Sequence, residues 1–230
     1  MHTKWKASLL TAASTYVLYL WLSGQLNLYI HPRYTVFAGI AAGACLGLSI
    51  LSSAGSPAQK NKRIALPELS LIVLLLSGIL LPASTLSEST FSQRLIDGQP
   101  QTTGSTTTAP VLIGSTKGLD IRDWTNLLSR HSDPGFFTNK PAHISGFVYD
   151  AGLGSDTFLL ARFVVTCCAV DARPIGIPVH LPDWVQQYSL GDWLEVEGVF
   201  KPDQAADREP LSLHTTEVNR IDVPEDPYVQ

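Results

Sequence analysis

The residues whose types and spacing invite chemistry fall in one run, Arg162-Phe163-Val164-Val165-Thr166-Cys167-Cys168-Ala169-Val170-Asp171-Ala172-Arg173-Pro174. Two thiols and a carboxylate within five residues put soft and hard donors side by side, a combination that suits soft or borderline ions. Three readings are open. Cys167 and Cys168 are a core thiol beside a surface thiol, buried cysteine being common in cores. Alternatively, one or both sulfurs join Asp171, with His143, His180 or His214, in a metal or metalloid site. The third reading is a redox-active vicinal disulfide, strained by the single peptide between its sulfurs.

Strand periodicity bears on the choice. Read as a strand, Leu159, Ala161, Phe163, Val165 and Cys167 share one apolar face, and Phe158, Leu160, Arg162, Val164, Thr166 and Cys168 the other, more polar one. That makes Cys167 a buried thiol and Cys168 the accessible one, and adjacent cysteines of a strand rarely hold one ion together. No CxxC or HxxxH spacing accompanies them. Asp171 stands before Arg173-Pro174 and Gly176, a turn-like sequence whose backbone amides it is expected to cap. A second candidate group is His31-Pro32-Arg33, read either as a membrane-surface anchor in a short helical hairpin or as a contact with a partner or a transported ion.

The rest of the chain excludes several classes. It has no glycine-rich phosphate loop, no GxSxG elbow and no carboxylate pair placed for acid–base work, so an enzyme is not expected. A formal net charge of −4 gives no reason to expect nucleic acid. Six His and three Cys are too few and scattered for a zinc-finger or disulfide scaffold. No cofactor is specified.

The elements that must position these residues divide sharply by composition. Residues 1–82 carry three apolar stretches near 8–28, 34–51 and 66–81, each near the ~20 residues of helix that cross a bilayer. The first also fits a signal peptide, but it outruns a typical h-region and two more apolar stretches follow. Gly39, Gly43 and Gly47 recur at four-residue spacing, a helix face suited to close packing. Lys4, Lys6, Lys60, Lys62 and Arg63 place the N-terminus and the 51–66 loop in the cytoplasm, and everything after Pro82 outside. Residues 83–118, rich in Ser and Thr, read as a flexible tether.

Residues 119–230 are long enough for one domain. Ile121, Trp124, Leu127 and Leu128 mark an amphipathic helix beginning near Asp120. Strand-like runs follow at Ala142–Tyr149, Thr157–Cys168, Ile177–Leu181, Trp193–Phe200 and Leu211–Ile221, with a helical turn at Pro182–Tyr188 after the third. That order is the one of an OB-fold, a small, partly open β-barrel. The predicted fold class is thus a membrane α-helical N-terminal region plus an OB-like β domain. The fold names no ligand.

Several segments together carry a resemblance: Leu28-Tyr29-Ile30-His31-Pro32-Arg33, Gly146-Phe147-Val148-Tyr149, the Cys-Cys-x-x-Asp-Ala core, and Pro224-Glu225-Asp226-Pro227-Tyr228. The chain resembles the YcgQ-like family of bacterial permease subunits, a family of unknown function. The Thr-rich part of the tether has no counterpart in it. The resemblance implies a two-component membrane complex with a multi-span YcgR-like permease as partner; it brings no catalytic residues and no substrate. Cys167, Cys168, Asp171, His31, Pro32 and Arg33 match its signature positions. The expectation is an accessory permease subunit in the cell envelope, whose outer domain binds or gates. The alternatives are a stand-alone envelope sensor or metal-binding protein using the Cys-Cys-Asp site, and a thiol oxidoreductase cycling a Cys167–Cys168 disulfide.

Overall fold

The computed structural model describes residues 3–54, 72–73, 76–78, 80, 84–96, 118–131, 133–202 and 211–229. They form two compact units: Met1–Thr85 with Cys167–Ala169, and Leu86–Thr166 with Val170–Gln230.

In the first unit, helix α1 (Thr3–Leu22) and helix α2 (Pro32–Ala54) are joined by a 3-10 turn at Gln25–Leu28. The expected first span, 8–28, stops short because Gly24 takes a left-handed φ of 76° and turns the chain. Its apolar helical part is Ala7–Leu22, whereas Pro32–Ser52 is, among the described residues, the helix long and apolar enough to cross a membrane. Pro32 starts α2, where its missing N–H costs no hydrogen bond. Most of the third expected span, 66–81, lies outside the described residues; positions 72–73, 76–78 and 80 are helical.

The two helices pack through small and hydroxylated residues. Ala7, Ser14, Ala42 and Ser49 are buried, and the Thr11 and Ser49 hydroxyls lie 2.7 Å apart. Each of these hydroxyls also bonds back to its own helix, Thr11 to the Ala7 carbonyl and Ser49 to that of Leu46. Of the glycine face, Gly39 is the position that the described residues show in close contact. A Cβ on Gly39 would strike the Trp21 ring at 2.7 Å, but one on Gly43 or Gly47 meets no described atom within 4 Å. Trp21 fills the place that close helix contact would otherwise take.

The second unit is a five-stranded barrel. Its strands are β1 (Pro141–Tyr149), β2 (Thr157–Val164), β3 (Arg173–His180), β4 (Trp193–Pro202) and β5 (Leu211–Arg220), with a short β6 (Tyr228–Val229). Hydrogen bonding runs β1-β4-β5-β3-β2, and the β1–β2 pairing closes the ring; β6 lies parallel to β2. The β3–β5 pair is parallel and the other barrel pairs antiparallel, which is the connectivity of the OB-like barrel expected from the element order. Glycines sit where strands cross closely. A Cβ on Gly146 would meet the Ala161 carbonyl oxygen at 2.6 Å, and one on Gly198, at a β4–β5 irregularity, the His214 oxygen at 2.3 Å.

The barrel buries both faces of β2. Phe158 and Leu160 enter the interior with Val148, Ile177, Val179, Leu194, Val196, Phe200 and Leu213. Helix α4 (Ile121–Arg130) adds Ile121, Trp124 and Leu127, held at its start by the reciprocal Asp120–Asp123 capping box. The short helix α5 (Trp184–Gln187) adds Trp184. The opposite face of β2 is equally apolar. Leu159, Ala161, Phe163 and Val165 form a second cluster with Phe147, Trp193, Tyr228 and Phe91.

Phe91 belongs to helix α3 (Glu88–Ile96), which falls inside the stretch read as a tether. Its ring lies 5.7 Å from Phe147, 4.5 Å from Tyr149 and 5.7 Å from Phe163. Burying one aromatic side chain on a ready apolar surface outweighs the polar composition around it. The Thr-rich run 102–108 lies outside the described residues.

Candidate functional site

The cysteines do not stand in a strand. β2 ends at Val164, not Cys168 as the periodicity suggested, and β3 starts early, at Arg173. Between them, the Val165 N–H donates to the Val229 carbonyl at 3.0 Å, and the Thr166 N–H to Asp171 Oδ1 at 3.2 Å. A 3-10 turn, Ala169–Asp171, completes the loop. Val165 and Ala172, both buried, hold its two ends. Asp171 thus caps the loop that precedes it, and not the Arg173–Gly176 stretch expected from its sequence context, which forms the start of β3.

Leaving the strand changes the exposure and the direction of the thiols. Cys167 is exposed and Cys168 half-buried, the reverse of the expected order. Strand alternation, the basis of that order, ends three residues before Cys167. The Cys167 thiol donates to the Cys168 sulfur at 3.5 Å, and no disulfide joins them. With a carboxylate oxygen of Asp171, these three donors all lie within 4.8 Å of one another. The donors come from five consecutive residues, so one loop sets their mutual geometry.

The segment Cys167–Ala169 counts with the helical unit. Cys168 makes an antiparallel bridge with Ile30; the His31 N–H donates to the Cys167 carbonyl at 3.0 Å and the Ala169 N–H to the Tyr29 carbonyl at 2.8 Å. His31 precedes α2, and its Nδ1 accepts the Arg33 N–H at 3.1 Å. It meets Tyr34 edge-on at 6.2 Å. Pro32 and Arg33 are the first residues of α2. His31-Pro32-Arg33 therefore shape a helix start, and the backbone just before it bonds to that of Cys167–Ala169.

The other histidines considered as ligands lie elsewhere. His143 pairs with Glu195 at 3.0 Å and faces Glu197 at 3.9 Å. His180 and His214, partners across the parallel β3–β5 pair, bring their rings to 4.4 Å. Sequence order hides that contact, since it depends on which residues β3 and β5 align. Among the described residues, the three-donor group that could hold a metal is Cys167, Cys168 and Asp171.

The outer face of β2 was also missed as a feature. Arg162, near the end of β2 and on the face of Phe158 and Leu160, reaches the Asp226 and Pro227 carbonyls, and its guanidinium lies 5.4 Å from the Trp193 ring. Burial lowers its pKa, and the charges of Asp120 and Asp226 counter that. The Tyr228 hydroxyl accepts the Leu86 N–H at 3.1 Å. The chain's own flanking segments thus cover the outer β2 side of the barrel, whose β2–β3 face in OB-folds takes oligonucleotides and oligosaccharides.

With the barrel and its loop in place, the comparison with known families is specific to this part of the chain. Residues 120–230 match the DUF1980 C-terminal domain. The match begins at the capping residue of α4 and takes in the whole barrel, the Cys-Cys-x-x-Asp-Ala loop and β6. No curated protein and no solved structure matches the chain. The DUF1980-like domain is thus a small β-barrel of unknown function that carries the thiol–carboxylate cluster.

Proposed function

We propose that this protein is the accessory subunit of a two-component membrane permease, anchored by its helices, with the DUF1980-like barrel outside the membrane binding or gating. The observation that carries the proposal is the surface of the helical unit. Leu22, Phe37, Ile40, Leu48 and Leu51 all point outward, a large apolar exposure for a monomer in water, which lipid or partner helices would cover. Among the described residues the apolar helices are too few to form a transport path alone, which favours a multi-span partner such as the YcgR-like permease implied by the resemblance. The covered outer face of β2 argues against an oligonucleotide ligand there.

Affinity purification of the tagged chain from its native membrane in mild detergent tests the proposal. A multi-span membrane protein in stoichiometric yield supports it; elution of the chain alone removes its main support. The Cys167–Cys168–Asp171 geometry favours a second reading, a stand-alone envelope sensor or metal-binding protein.

A further inference from the structure

We propose that Cys167, Cys168 and Asp171 form an exchangeable site for one thiophilic divalent cation of the zinc type, with its remaining position open to water. The inference stands apart from the permease proposal and needs no partner protein.

The usual objection to adjacent cysteines sharing an ion is that a strand sends them to opposite faces. Here they lie in a bend after β2, and both sulfurs come to the same side, 3.5 Å apart. Tetrahedral zinc with Zn–S bonds of about 2.3 Å separates two sulfur ligands by roughly 3.8 Å. The observed spacing is within a few tenths of an ångström of that value, so little movement is required. A carboxylate oxygen of Asp171 completes a triad within 4.8 Å. The bond from Thr166 N–H to Asp171 Oδ1 orients this carboxylate, as outer partners do at metal sites.

The donor chemistry selects the cation. Two thiolates disfavour magnesium and calcium, which take oxygen ligands, and favour zinc, cadmium and copper(I). Three protein donors leave a fourth tetrahedral position for water. Cys167 is exposed and Cys168 and Asp171 half-buried, so solvent reaches the site and exchange is expected to be fast. Zinc takes cysteine sulfurs as thiolates, so binding is accompanied by proton release.

The test uses the reduced full-length chain in detergent. Zn²⁺ is titrated against a chromophoric chelator, Cd²⁺ is added to follow thiolate-to-metal absorption, and proton release is read in weak buffer. The expected result is one Zn²⁺ per chain, with protons released on binding. Affinity should fall more than ~100-fold in Cys168→Ser and ~10-fold in Asp171→Asn, with the cadmium–thiolate band lost in the first. A second measurement needs no variant: Zn²⁺ should slow alkylation of Cys167 and Cys168 while leaving Cys45 unchanged. Zinc uptake well below one per chain, uptake that survives Cys168→Ser, or unchanged alkylation of both thiols would overturn the site.

Discussion

The two units bury opposite kinds of side chain. In the barrel the largest residues are the most hidden, with Trp124, Phe158 and Phe200 all 0% exposed. In the helical unit Phe37 is 70% and Leu51 72% exposed, while the buried positions are mostly Ala, Ser and Thr. The same chain thus uses two packing rules. Water drives the barrel together by hiding aromatic and branched surface. The helices instead meet through small residues and hydroxyl bonds and keep their bulk for the surroundings, as helices packed in lipid do. The contrast shows where each part gets its stability.

The sharpest way to break the comparison is to remove one large side chain from each unit. Trp124→Ala removes a fully buried ring that α4 packs against Phe200 and is expected to cost about 3–5 kcal/mol. Phe37→Ala on the exposed face of α2 should change stability by less than ~0.5 kcal/mol in detergent. Denaturant titrations of the two variants would check the difference. Equal losses would mean that the α2 face is packed.

Glycines sharpen the same contrast with a smaller effect. Gly198→Ala drives a methyl group into the His214 backbone and should cost about 1–3 kcal/mol. Gly43→Ala meets no described atom within 4 Å and should gain up to ~1 kcal/mol from helix propensity. Thermal melts of both variants should therefore shift in opposite directions.

The smallest effect concerns the cap of α4. Burial, and then repulsion by Asp120, hold the Asp123 carboxyl above its ordinary range. The folded state therefore binds that proton more tightly than the unfolded chain, and this group's contribution to stability falls as pH rises through the window. Asp123→Asn should raise the melting temperature slightly at neutral pH, and the gain should vanish in acid, where the wild-type carboxyl is protonated in both states. A gain that persists in acid would point to a cause other than charge.

Much of the barrel was legible because its signals are local. Alternation marked the five strands, Asp120 marked the start of α4, and Pro182–Tyr188 marked the helical turn. What failed was local periodicity carried too far. The alternation through Phe163 continues on paper into Cys167, but the Asp171 carboxylate takes the Thr166 amide and bends the chain first. The reading of β2 as having one polar face failed because Phe158 and Leu160 line the interior while Leu159, Ala161 and Phe163 meet a helix supplied from before residue 118. That helix was illegible because, among its described side chains, Phe91 is the buried one, set in a Ser/Thr background. The proximity of the two sulfurs came from the same bend, and no spacing rule encodes it.

The claim that the helical unit is built for an apolar surround is tested most directly by alkaline carbonate washing of native membranes, followed by detection of the full-length chain. The account predicts that the chain stays in the membrane pellet, released by detergent and not by carbonate. Recovery of the chain in the carbonate supernatant would contradict it, because the exposed face of Phe37, Ile40, Leu48 and Leu51 would then be covered by protein in water.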